Sequence, residues 1–167
     1  MNLRCSFLPL LNAVLVTVYA SGVTIADEIA RWNFDQEPIG WEPNGETELA
    51  LQEGYLKVRS NGNDPYLTTR VDGRSGEHRI AITAKFDGNA SFQVFWTTEA
   101  EPDTTEEKSV SNELRGSENE ARTVRLYFTS ESPVTSIRID PLSRKGEMLI
   151  DSIELTDDAA PVPMATP

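Results

Sequence analysis

Beyond residue 26 the chain alternates apolar and polar residues in short runs: ARWNF, TELAL, YLKVRS, PYLTT, HRIAITAKF, SFQVFWTT, TVRLYF, SIRID and EMLIDSIEL. Neighbouring side chains in a strand point to opposite faces, so a period of two marks strands with one face on a core and one on solvent. In HRIAITAKF this places Ile80, Ile82, Ala84 and Phe86 inward, with Arg79, Thr83 and Lys85 outward. No segment carries a helical period of similar strength. Between the runs stand EPNGE, QEGY, SNGNDP, DGRSGE, FDGNA and SRKGE, whose Gly, Asn and Asp supply the positive φ that tight turns need. About nine short strands with turns at close intervals predict an all-β domain, a jelly-roll β-sandwich of two antiparallel sheets. Residues 97–120 read as an acidic excursion holding one weak edge strand, with helix the competing form there.

Length and composition add a leader and a tail. The 167 residues suit one domain. Arg4, an apolar run from Phe7 to Tyr19 and small residues up to Ala26 predict a signal peptide over 1–26. Pro9, Asn12, Thr17 and Ser21 interrupt that run, which falls short of the ~20 residues of a spanning helix, so no membrane insertion is expected once the leader is removed. The domain is placed at 27–156, and the proline-rich end at 157–167 reads as a flexible tail. The one cysteine, Cys5, leaves with the leader, so the exported domain has no disulfide and no thiolate chemistry. This points to a secreted or periplasmic protein, more in the manner of a bacterium than a eukaryote.

The 27 Asp+Glu against 15 Lys+Arg give a net charge of −12. Such a field repels phosphate backbones and anionic lipid, which argues against nucleic acid and membrane surfaces as partners. Neutral sugars, cations and basic protein surfaces remain.

Two stretches carry a resemblance. WNFDQEPIGW, near the start of the exported chain, is similar to the opening of galactose-binding-like β-sandwich domains, which include several families of carbohydrate-binding modules. RIDP followed by GEMLIDSIEL is similar to their closing strands, and the likeness spans most of residues 30–156. It implies that the first and last strands lie side by side, with Asn33, Phe34 and Asp35 approaching Ile150, Asp151 and Ser152. It further implies a structural calcium ion there, with Asp35 and Asp151 as candidate ligands. The plainer reading is that Asp35 begins a turn and Asp151 caps a strand or pairs with a basic group. Further ligands from Asp64, Asp72 or Asp87 are not singled out.

The ligand-binding candidates follow from the chemistry of sugar recognition, which uses flat aromatic rings for pyranose faces and planar polar groups for hydroxyls. Trp41 in IGWEPNG and Tyr66 after NGNDP lie in loops; Trp96 and Tyr127 lie in strands, where Trp96 also reads as core. Arg138 and Asp140, two apart, share one strand face opposite Ile137 and Ile139, so they can pair with each other or join a polar strip that receives a ligand. The outward set Lys85, Gln93, Phe95, Arg125, Tyr127 and Arg138 would form a basic, aromatic patch suited to an acidic or sulfated polysaccharide, or else a solvated face with ordinary cross-strand pairs. A single histidine, His78, supports neither a Ser-His-Asp arrangement nor a multi-histidine metal centre, and no phosphate-cradling glycine loop is present. The expected protein is therefore a non-catalytic domain that binds a glycan. The alternative is a secreted structural or protein-interaction sandwich without sugar binding.

Overall fold

The computed structural model describes residues 26–157 apart from 38. The leader through residue 25 and the tail from residue 158 lie outside the described residues. Eleven strands follow in order: β1 (Glu28–Asn33), β2 (Glu42–Pro43), β3 (Thr47–Gln52), β4 (Tyr55–Ser60), β5 (Leu67–Arg70), β6 (Gly76–Lys85), β7 (Asn89–Thr98), β8 (Ser109–Arg115), β9 (Arg122–Ser130), β10 (Val134–Asp140) and β11 (Gly146–Asp157). Among the described residues the only helical element is a single 3-10 turn at Glu106–Lys108, so the acidic excursion is not a helix. Its strand, β8, is the edge strand the pattern predicts, paired only with β7.

Two antiparallel sheets face each other. One runs β2-β5-β10-β7-β8; the other runs β3-β4-β11-β6-β9, with β1 also on β11. The period-two residues meet between them: Ile80, Ile82 and Ala84 of β6 are fully buried, as are Phe92 and Val94 of β7 and Ile137 and Ile139 of β10. Trp96 of the first sheet stacks on Phe128 of the second with ring centroids 4.4 Å apart, tying the layers together. At QEGY, Glu53 and Gly54 both take positive φ, 52° and 81°, the geometry of a two-residue hairpin that closes Gln52 onto Tyr55.

β11 is the hub of the larger sheet. One edge pairs along β6; the other pairs first with β4, through Gly146–Ile150, and then with β1, through Ser152–Thr156. The register against β6 slips between Ile150 and Ser152, so Asp151 is the extra residue of a β-bulge. The bulge is required by the sequence. Met148 and Ile150 are two apart, but the next buried residues, Ile153 and Leu155, follow at an odd spacing, and without the slip they would face solvent.

The first and last strands are neighbours, with Asn33 opposite Ser152 and Trp32 opposite Ile153, and the Asp157 amide donates to the Asp27 carbonyl at 2.9 Å. Asp157 therefore closes β11 and does not begin the tail. It pairs with His78 across the ladder, with its Oδ1 3.2 Å from the buried His78 Nδ1 and its Oδ2 3.5 Å from Arg74. Among the described residues, no helix is long and apolar enough to cross a membrane.

Candidate functional site

The outer face of the five-stranded sheet is organised around Arg138. Period two puts Ser136, Arg138 and Asp140 of β10 on that face, beside Gln93 and Phe95 of β7 and Thr68 and Arg70 of β5. Arg138 Nε donates to Asp140 Oδ1 at 2.7 Å and its Nη2 to Asp140 Oδ2 at 2.6 Å, a bidentate pair on one strand face. Nη2 also donates to Asp64 Oδ1 at 2.9 Å. The guanidinium lies over the Tyr66 ring, 3.8 Å from its centroid, and 4.9 Å from that of Phe95. The stack explains why Phe95, an outward residue, is only 4% exposed.

Burial pushes the Asp140 carboxyl above its ordinary value; Arg138 pulls it back through its hydrogen bonds and charge, while the charges of Asp64 and Glu106 add to the rise. Burial works against the Arg138 charge, but the hydrogen bonds and charge of Asp140, with Asp64, outweigh it and hold the guanidinium protonated.

Two polar hollows flank this stack. One, of about 180 Å³, lies among Asn63, Asp64, Ser91, Gln93, Asp140 and Ser143. The other, of about 400 Å³, lies among Gly40, Glu42, Thr68, Arg70 and Ser136. Gln93 is held from the far side, donating to Glu106 Oε2 at 2.8 Å and to Ser109 Oγ at 3.0 Å. Asn44 braces the loop before Tyr66: its Nδ2 donates to the Asp64 carbonyl at 2.7 Å, and its Oδ1 accepts from the Tyr66 amide at 3.3 Å.

The other candidates fall elsewhere. Trp41 is 5% exposed and packs edge-on against Trp32 at 5.0 Å; Trp96 is 8% exposed on Phe128. Both rings are core, so neither offers a face to a ligand as the exposed-aromatic expectation requires. The physical reason is that β7 turns Trp96 to the inner side with Phe92 and Val94, while the chain before β2 folds Trp41 beneath β1. Tyr127 is 55% exposed, but on β9 at the edge of the other sheet. The expected single patch is likewise divided: Lys85, Arg125 and Tyr127 belong to the six-stranded sheet, and Gln93, Phe95 and Arg138 to the five-stranded one. Successive strands β6 and β7, and β9 and β10, change sheet, and that crossing sends their outer faces in opposite directions.

Asp35 and Asp151 both lie just beyond the Asn33–Ser152 pair, at the place the resemblance implies. Asp35 is exposed, with Oδ1 3.3 Å from where a Cβ at Gly54 would lie, and Asp151 Oδ2 accepts from Ser152 Oγ at 3.1 Å. Among the described residues no three His, Cys, Asp or Glu side chains converge, so most of the 6–8 oxygens of a calcium ion would have to be main-chain carbonyls or water. Asp64, a conceivable third ligand, is committed to Arg138.

No family model and no curated protein matches the chain. Solved structures do. The CBM22-1 xylan-binding domain of Paenibacillus barcinonensis Xyn10C superposes with a TM-score of 0.59 at 13% identity, covering 83% of this chain and 100% of that one. CBM29_1, a family 29 carbohydrate-binding module from Piromyces equi, gives 0.55 at 10% identity, covering 77% and 88%. The CBM35 structure from Paenibacillus barcinonensis gives 0.54 at 12% identity, covering 77% and 99%. The fold is that of a carbohydrate-binding module. At these identities the likeness is one of fold. On this carbohydrate-binding-module fold the feature that residue reading did not foresee is the sandwiching of Arg138 between Tyr66 and Phe95, completed by Asp64. Arg138 and Asp64 are 74 residues apart, and no local signal joins them.

Proposed function

We propose that the protein is a non-catalytic glycan-binding domain whose binding face is the outer surface of the five-stranded sheet. The observation that carries this reading is the Tyr66–Arg138–Phe95 stack, which fixes a polar ridge between two hollows lined by hydroxyl, amide and carboxylate groups. Planar polar groups of this kind suit the hydroxyls of a neutral sugar, and a ridge held by charge-assisted bonds is pre-organised for them. One fold neighbour is a xylan-binding domain, which supports the choice of class. Amide NMR with neutral xylo- and gluco-oligosaccharides tests it. Shifts should gather at residues 63–66, 91–93 and 136–140, and Gln93→Ala should weaken binding about five- to tenfold.

A second reading is favoured by the separation of Tyr66, in the loop leading into β5, from Tyr127 on the other sheet, which leaves no paired aromatic platform of the two among the described residues. It is a protein-interaction sandwich without sugar affinity. A glycan array with no binding, together with a silent NMR titration, selects it. Asp35 and Asp151 are retained in both readings as the seat of a stabilising calcium ion. Calorimetry should give a higher melting temperature with calcium than with chelator, and equal midpoints would remove the ion.

A further inference from the structure

A larger hollow, of about 450 Å³, opens at the end of the six-stranded sheet, between the loop after β6 and the loop before β11. Its floor begins with one row across three strands, Lys57 opposite Leu149 opposite Lys85, all on the outer face. Phe86 and Met148 are buried beneath that row, which leaves Leu149 as its part-exposed apolar contact, and Arg144 and Lys145 rise from the loop before β11. The Arg144 guanidinium reaches back over Gly88, where a Cβ would sit 3.7 Å from Nη2.

The charges of this hollow are unusual for so acidic a chain. Lys57 is taken by Glu147 at 3.0 Å. Lys85, Arg144 and Lys145 have no carboxylate partner among the described residues, although acids outnumber bases by 27 to 15. Arg70, Arg115 and Arg125 are the other described cations without such a partner, and they lie on separate strands. Among the described residues, unpaired cations are grouped only at this hollow. Lys85 Nζ sits 4.7 Å from the centroid of the Tyr55 ring, which steadies it without neutralising it. Asp87 and Glu118 also line the rim. They accept hydrogen bonds, so they suit hydroxyls, and they would repel an anion that is not drawn in by the three cations. At physiological salt the Debye length of about 8 Å confines the repulsive field of the remaining acids, and contact charges govern at the hollow itself.

We propose that this hollow binds an anionic sugar residue, carrying a carboxylate or a sulfate ester, with Lys85, Arg144 and Lys145 receiving its charge and Asp87, Asn89 and Glu118 its hydroxyls. The ligand class rests on the glycan-binding reading above; the place does not, because this hollow is on the other sheet. A guanidinium fork takes a carboxylate or sulfate in two parallel bonds, and the part-exposed Leu149 between Lys57 and Lys85 offers the sugar ring an apolar contact.

The test is calorimetric and NMR titration of the protein with an oligogalacturonate, a sulfated galacto-oligosaccharide, a neutral xylo-oligosaccharide and inorganic sulfate. One or both charged sugars should bind, with shifts at residues 85–89 and 142–149, and the stronger of the two identifies the anionic group. Arg144→Ala and, separately, Lys145→Ala should each lower that affinity about three- to tenfold, and added salt should lower it further. Both side chains are exposed, so neither variant threatens folding. The inference is overturned if neither charged sugar shifts these residues, if the neutral sugar binds there equally well, or if both variants bind as the parent does. Inorganic sulfate binding as tightly as the sugars overturns it too, since the hollow would then read charge alone. Neutral-sugar shifts confined to residues 63–66, 91–93 and 136–140 support the five-stranded face whatever happens here, so the two readings fail separately.

Discussion

At the scale of single residues, Asp140 and Arg138 have opposite needs. The fold raises the Asp140 carboxyl, which means that it holds the proton more tightly than the unfolded chain does. By linkage, this contribution to stability is fully present below the ordinary value of 3.8 and is lost as pH climbs through the higher folded value. Glu147 works the other way. Its carboxyl is lowered, first by the hydrogen bond from Lys57, so its contribution is present above 4.5 and lost as pH falls through its folded value. Asp140→Asn removes the first slope. Denaturant unfolding across this range should show the variant gaining on the parent as pH rises, and a parent that gains on the variant would contradict the assignment. Arg138→Met keeps the stem against Tyr66 and Phe95 but leaves a half-buried carboxylate without its fork, so it should cost about 1.5–3 kcal/mol near neutral pH in the same assay.

At the scale of elements, β11 concentrates the consequences. Because Asp151 is the bulge residue, its backbone matters more than its side chain. Asp151→Ala should stay within about 1 kcal/mol of the parent. Deleting residue 151 altogether should abolish cooperative unfolding in circular dichroism, since Ile153 and Leu155 would turn outward. Ile153→Ala, at a fully buried position, should cost about 2–5 kcal/mol. Strand identity was legible along the chain because period two is local: Ile80, Ile82, Ala84 and Phe86 are inside, as HRIAITAKF predicts. The bulge left a signal too, in the odd step from Ile150 to Ile153, which a simple reading of EMLIDSIEL as alternating passes over. The candidate site was less legible. The Arg138–Asp140 pair follows from spacing on one strand, but the sheet each strand joins is decided by pairing across the whole chain. For that reason Tyr66 and Tyr127 part company, and Trp41 and Trp96 become core.

At the scale of the molecule, β1 and β11 close the sandwich by laying its first and last strands together, and Asp27 and Asp157 are hydrogen-bonded. Ends this close tolerate rejoining. A permuted chain in which a short glycine-serine linker joins 157 to 27, reopened in the exposed acidic loop at 102–103, should fold with a near-parental circular dichroism spectrum. Loss of cooperative melting would indicate that the loop is needed for pairing β7 with β8.

The ladder through β11 also gives the domain a polarity. Asp157 stands at one pole and Gly146 at the other, twelve residues or roughly 40 Å of extended chain away. Anything fused ahead of Asp27 or behind Asp157 departs from the first pole, which leaves the Arg144 loop facing outward like the tip of a probe on its stalk.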